Sequence, residues 1–297
     1  IIKACDTPDE VELWENLKAA CVNGRRTGLG THGLADALAC LSLAYDSDEA
    51  IEVIDNIYST FKIAAYTESV NLAQERGAFP VFNWDKEKDN AYIQSLPKNL
   101  QKLIAKFGRR NISILTNAPT GSVSIMSQTS SGIEPVFRNS YTRRRKLSHN
   151  ETDIKADFVD DLGDKWTEYE VFHHNVRAYL EAHNTAEVPD FFTESDAIDW
   201  ENRVRIQATI QKHIDHSISS TINLPKGTDP EVVSRLYQLG WKLGLKGITV
   251  YVDGSRTGVL VTNTEEEKES FPQHQAVKRP TDLPCNIHHT TIQGEKW

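Results

Sequence analysis

The chain has 297 residues, a length at which one large domain or two ordinary ones bury roughly three quarters of their unfolded surface without disulfides or structural metal. No apolar run approaches the ~18 residues of a membrane-spanning helix, and 42 acidic against 33 basic residues give a net charge of −9, which disfavours non-specific binding to duplex nucleic acid but leaves room for a local phosphate site. Four dispersed cysteines, with no CxxC pair and no secretory leader in the sequence, exclude a disulfide scaffold and point to a reducing, cytoplasmic setting.

Apolar residues at Val11, Leu13, Trp14, Leu17 and Cys21 recur at a helical period and predict a first helix over 9–21. After the punctuation of Asn23-Gly24, a second helix is expected over 33–42. A long one follows over 47–76, with Ser47 as N-cap, Ile51, Ile54, Tyr58 and Phe61 on its apolar stripe, and Gly77 as its stop. Residues 79–90 read as loop and 96–107 as helix. The β-rich run Ile112-Ser113-Ile114-Leu115-Thr116 then leads through Asn117-Ala118-Pro119-Thr120-Gly121-Ser122 into a helix that opens near Val123.

Residues 138–170 hold a basic cluster, Arg138 and Arg143 to Lys146, followed by an acidic polar stretch, and read as a surface excursion. Helices are expected again over 170–182 and 195–216. Thr221-Ile222-Asn223-Leu224 is a strand ended by Pro225, which lacks a ladder donor. A helix over 229–244 carries Pro230 in its first position, and Gly247-Ile248-Thr249-Val250-Tyr251 is a second strand. Strand, helix and strand make a βαβ unit with parallel pairing. The polar stretch 262–280 reads as a linker, and 281–297 as the start of a further domain. Because the first residue is Ile1 and the tail alternates like a strand just begun, the chain is expected to be a piece of a longer polypeptide, with a processed or engineered chain as the alternative.

The clearest chemical signal is the small-residue turn between a strand and a helix. A helix beginning there exposes unpaired amides and the positive end of its dipole. Gly121 would let an oxyanion approach the backbone, and the Thr120, Ser122 and Ser124 hydroxyls add donors, so 119–124 reads as a phosphate cradle or, alternatively, as a plain capped helix start with a small-residue turn. It lacks the lysine of a P-loop, so nucleotide hydrolysis is not implied. A second small-residue turn, Ser130-Ser131-Gly132-Ile133-Glu134-Pro135, brings Glu134 as an acid, a base or simply a loop residue. Arg143 to Lys146 read as a solvated charge run. His213 and His216, i and i+3 on a predicted helix, lack a third ligand, and Cys285 with His288 and His289 has no second cysteine at zinc spacing. No metal site is therefore expected. Cys5, Cys21 and Cys40 sit on helical patterns and read as packed thiols.

Five segments, in order, resemble the vitamin B12-dependent (class II) ribonucleotide reductases. They are 23–30 with Gly33-Leu34-Ala35-Asp36; 117–124; 130–137 with Ser140-Tyr141-Thr142-Arg143-Arg144; 220–225; and 244–256. The resemblance covers about 10–258 and implies an α/β fold, the C-terminal part of a ten-stranded barrel, rich in helices, within a catalytic domain over 1–261. It implies reduction of the ribose 2′-OH of a ribonucleoside di- or triphosphate by a thiyl radical that adenosylcobalamin generates, with electrons from a dithiol reductant such as thioredoxin.

By the same resemblance, Pro119, Thr120, Gly121, Ser122, Val123 and Ser124 hold the substrate phosphates, and Asn117, Glu134 and Tyr251 stand as possible walls of the active site. Tyr251 aligns with a strand position that carries relay tyrosines in iron-dependent relatives, and is expected in the barrel wall here. Val252 stands where the family commonly has Arg, and 147–195 matches poorly. The family's radical motif, Asn-Pro-Cys-x-Glu, surrounds none of the four cysteines, so no catalytic residue is assigned in this chain. Its partners are then the ribonucleotide and either the rest of the same polypeptide or a complementary chain, with no membrane or direct nucleic-acid partner. A split subunit and a non-catalytic nucleotide-binding scaffold are the alternatives.

Overall fold

A computed structural model describes residues 1–147, 155–159, 164–253, 291–292 and 295–296. In chain order the described elements are α1 (Pro8–Gly24), α2 (Leu34–Cys40), α3 (Asp48–Arg76), α4 (Trp84–Glu87), α5 (Ala91–Gln94), α6 (Lys98–Phe107), α7 (Gly121–Ser127), β1 (Ser140–Lys146), β2 (Phe158–Val159), β3 (Lys165–Phe172), α8 (His174–His183), α9 (Trp200–Gln211), β4 (Thr221–Leu224), α10 (Pro230–Lys242), β5 (Thr249–Val252), β6 (Thr291–Ile292) and β7 (Glu295–Lys296). Contacts divide the chain into a unit over Ile1–Ser255 and another over Arg256–Trp297. In the second, β6 and β7 pair antiparallel. The predicted linker and the Cys285–His288–His289 group lie outside the described residues.

Local signals explain most helix boundaries. Thr7 caps α1 through a reciprocal box with Glu10, and Pro8 takes the first helical position. Ser47 accepts the Ala50 amide at 3.1 Å to start α3, which ends at Gly77 with φ 79°. Asp199 caps α9, and Asp229 caps α10 ahead of Pro230. The main core forms where α3 packs on α6 and α9, with Ile54, Tyr58, Val70, Ile104, Ile206 and Ile210 buried together beside Leu115 and Ile133. A second cluster joins α9, β4 and α10 through Val204, Ile222, Leu224 and Leu236, with Val252 packed against it.

The βαβ unit forms as expected: β4 and β5 pair in parallel, Asn223 opposite Tyr251 and Leu224 opposite Val252. The run 112–116 is not a regular strand. It makes single parallel bridges, Leu29 to Leu115 on one side and Asn117 to Ile218 on the other. The reason is the carboxylate of Asp215, which accepts the Ile114 and Leu115 amides at 2.8 Å each and so replaces ladder bonds on that side. Segments 27–29, 113–117, 216–224 and 249–252 nonetheless lie side by side and parallel, in chain order. Among the described residues this array does not close into a barrel.

Three further expectations change. The excursion over 138–170 contains an antiparallel sheet, order β1–β3–β2, in which Arg143 faces Tyr169 and Lys146 faces Trp166. The run Trp166-Thr167-Glu168-Tyr169-Glu170-Val171-Phe172 is rich in aromatic and β-branched residues alternating with acids, a strand pattern, so the next helix starts at His174 rather than near 170. Secondly, α9 ends at Gln211, so His213 and His216 do not share a helix face; His213 Nε2 meets Asp55 at 2.9 Å instead. Thirdly, Cys21 and Cys40 are exposed, because α1 buries none of its residues and Cys40 closes α2 on its outer side. No described helix is long and apolar enough to cross a membrane.

Replacing Asp215 with Ala removes the acceptor of two backbone amides and of the Tyr66 hydroxyl at 2.5 Å. We expect a loss of about 3 kcal/mol, read as a lower midpoint in urea unfolding, with Asp215→Asn losing less because it keeps one acceptor oxygen.

Candidate functional site

The site is built where the 113–117 segment runs out. Asn117 is 1% exposed and acts as a polar rivet. Its side-chain oxygen accepts the Thr31 amide at 3.1 Å and the Thr31 hydroxyl at 3.3 Å, its amide nitrogen donates to Tyr58 Oη at 3.3 Å, and its backbone carbonyl accepts the Ser219 amide at 2.8 Å. The end of the segment is thereby tied to the 27–33 loop, to α3 and to the start of the next parallel segment. Gly30 permits this closeness, since a Cβ there would collide with the Thr116 carbonyl.

Beyond Asn117 the chain surfaces through Ala118 and Pro119 and turns at Thr120, which holds φ 53°. That left-handed conformation is rare for a β-branched residue. Then α7 begins. Its first internal bond runs from the Ser124 amide to the Thr120 carbonyl at 2.8 Å, and among the described residues the amides of Gly121, Ser122 and Val123 have no hydrogen-bond partner. All three residues are exposed, and a Cβ added at Gly121 meets nothing within 4 Å.

The hydroxyls divide. Ser122 faces out with its residue, whereas Ser124 is buried, donating to the Gly121 carbonyl at 2.8 Å and pairing with Ser131 Oγ at 2.7 Å. Thr120 Oγ1 accepts the Gly132 amide at 2.8 Å instead of capping its own helix. The two small-residue turns seen in the sequence, 117–124 and 130–135, are therefore one assembly.

Glu134 ends the second turn. Its carboxylate forms an ion pair with Arg203 and accepts the Thr221 amide at 2.9 Å, which fastens the turn to the head of β4. Burial pushes its carboxyl above the usual range, and Arg203 only partly offsets this. Tyr251 lies half-buried on β5, with β4 between it and the Asn117 segment. Sequence reading passed over Arg203, which is 4% exposed and also donates to Tyr45 Oη at 2.7 Å and Ser220 Oγ at 2.9 Å. A signal was present: Arg203 falls on the same helical stripe as Ile206 and Ile210, so its charge needed an interior partner. Among the described residues no group of three or more His, Cys, Asp or Glu is placed to hold a metal ion.

The profile of the family described as "Ribonucleotide reductase, barrel domain" matches residues 13–251. The vitamin B12-dependent ribonucleoside-diphosphate reductase of Mycobacterium tuberculosis (strain CDC 1551 / Oshkosh) is 35% identical over 265 residues, covering 85% of this chain and 34% of the relative. The protein of the same description from Thermoplasma acidophilum is 29% identical over 280 residues, covering 91% of this chain and 34% of the relative. The chain thus spans about a third of the length of these relatives. In structure it is similar to the Actinobacillus ureae class Id ribonucleotide reductase alpha subunit, with a TM-score of 0.58 and 20% identity over 85% of this chain and 43% of that one, a likeness of fold.

Replacing Asn117 with Ala leaves the Thr31 amide and the Tyr58 hydroxyl short of a buried partner. We expect a loss of about 2 kcal/mol, visible as a lower urea midpoint with an unchanged denaturant slope.

Proposed function

Because this chain belongs to the ribonucleotide reductase barrel-domain family, we propose that it supplies the part of a ribonucleotide reductase that holds the substrate phosphates. One observation carries the reading: three amides, at Gly121, Ser122 and Val123, stand exposed at the start of α7 beside an open Gly121, with no partner among the described residues. Such amides carry the positive end of the helix dipole, roughly half a unit charge, and bind phosphate oxygens without a lysine. Pro119 and Thr120 set the approach of the chain, Ser122 adds an exposed hydroxyl, and Ser124 braces the turn from inside.

The substrate is a ribonucleotide and the reaction is reduction of its 2′-OH by a thiyl radical. The four parallel segments are the later strands of the family's ten-stranded barrel. Asn117, Glu134 and Tyr251 belong to its wall, and 262–280 links the barrel to a further domain beginning near 281. Amides and hydroxyls fit phosphate oxygens and not a corrin ring, so the described residues of this site bind substrate. Adenosylcobalamin, when bound in the whole enzyme, supplies the radical. No cysteine of this chain lies in an Asn-Pro-Cys-x-Glu motif, so the radical cysteine and its glutamate come from the rest of the polypeptide or from a complementary chain. The two arrangements differ in whether the reading frame upstream of Ile1 encodes that motif. A dithiol protein such as thioredoxin would restore the reductant.

Two measurements test the proposal. Gly121→Asp puts a carboxylate where a phosphate would sit, and we expect it to weaken binding of cytidine diphosphate to this chain at least about tenfold, whereas Gly121→Ala, which has open space for its methyl group, stays near wild type. Equal affinity of wild type and Gly121→Asp would remove the cradle. The chain by itself, given adenosylcobalamin and a dithiol, is expected to form no deoxynucleotide; turnover would contradict the assignment of the radical cysteine elsewhere.

A further inference from the structure

The register of β1 and β3 sorts their side chains by chemistry. Residues two apart on a strand share a face, and residues directly opposite in a pair share it too. Tyr141, Arg143 and Arg145 of β1 therefore stand on one face with their β3 partners Val171, Tyr169 and Thr167. Thr142 and Lys146 fall on the other face, with Glu170, Glu168 and Trp166. There Lys146 is ion-paired with Asp164, and Glu170 accepts the Ser140 hydroxyl at 2.6 Å. The two acids of the β3 run 166–172 thus lie on the side away from Arg143.

On the first face Tyr141 is 54% exposed and Tyr169 41%, and Arg143 and Arg145 are exposed as well. Tyr141 and Tyr169 are diagonal neighbours across the strand pair, roughly 7–8 Å apart, and Arg143 lies directly opposite Tyr169. Neither tyrosine hydroxyl nor the Arg143 guanidinium has a partner among the described residues. The Asp157 carboxylate, on the β2 side of β3, is taken by the Thr167 hydroxyl at 2.9 Å and the Glu168 amide at 2.6 Å. The face ends at Leu147, which is buried.

A cation set between two exposed rings is complementary to a chain whose negative charges alternate with flat apolar groups. Bases stack on tyrosine faces while phosphates meet guanidinium groups, so rings and charge both contribute. An acidic peptide would engage the arginines and leave the rings idle. Duplex DNA keeps its bases in its own stack, and the net charge of −9 disfavours it. We propose that this face binds single-stranded nucleic acid, with successive bases on Tyr141 and Tyr169 and the phosphate between them on Arg143. The inference is independent of the phosphate cradle.

The test is fluorescence anisotropy of a labelled single-stranded oligothymidylate with the 297-residue chain, over a series of salt concentrations. Tyr169→Ala is expected to weaken binding at least about fivefold, with Tyr169→Phe near wild type. Arg143→Ala should weaken binding and lower the slope of log K against log salt by about 0.7. Lys146→Ala, which removes a cation from the same strand but the opposite face, should change neither. All three positions are exposed, so the variants are expected to fold. Absence of binding by the wild-type chain at low salt, or binding by Tyr169→Ala equal to wild type, overturns the inference. An equal loss in Lys146→Ala and Arg143→Ala overturns it too. So does displacement of the oligonucleotide by a polyglutamate of matching charge, which would make the face a general anion surface.

Discussion

Asp215 places its two carboxylate oxygens where the segment 112–117 would otherwise need backbone acceptors, taking the Ile114 and Leu115 amides at 2.8 Å and the Tyr66 hydroxyl at 2.5 Å. A carboxylate binding amides forms charge-assisted bonds, stronger than the neutral bonds of a ladder. One side chain therefore fixes the height of this segment against α3 and against the chain that continues into 216–219. The His216 and Ser219 amides then find the Leu115 and Asn117 carbonyls. Everything downstream takes its position from that register, including the point at which the chain leaves the sheet and turns at Thr120.

The site has a division of labour between buried and exposed atoms. Asn117, Ser124, Asp36 and Arg203 are buried and hydrogen-bond to neighbouring segments, whereas Gly121, Ser122 and Val123 are exposed and their amides find no partner among the described residues. An interior polar group left unpaired is costly, but an amide facing solvent is not. These four buried side chains can therefore be paired while the outer rim of the assembly faces solvent. Rigidity beneath an open rim is the arrangement that lets amides bind an anion without reorganising.

The sheet of β1, β2 and β3 shows what charge conceals when read without register. Arg143, Arg145 and Lys146 are exposed, as a solvated charge run is, yet the stretch is ordered into strands: Thr142 and Glu170 face each other across β1 and β3, and Ser140 Oγ donates to Glu170 at 2.6 Å. Alternation at period two was present in 166–172, but the surrounding acids concealed it.

Sequence alone determined the helix starts and stops that local chemistry dictates, namely the Ser47 cap, the Gly77 stop and the Pro230 opening. It also determined the small-residue turn before α7, because each of these depends on residues within a few positions of one another, and the parallel pair around α10, whose two strands are joined by a single helix. It did not reveal that Arg203 and Asp36 clamp the neighbouring turn, that Thr120 gives its oxygen to Gly132, or that Asp215 interrupts a strand. Those contacts join residues from 12 to 101 positions apart. A buried charge chooses its partner by three-dimensional proximity, which only the packed chain supplies.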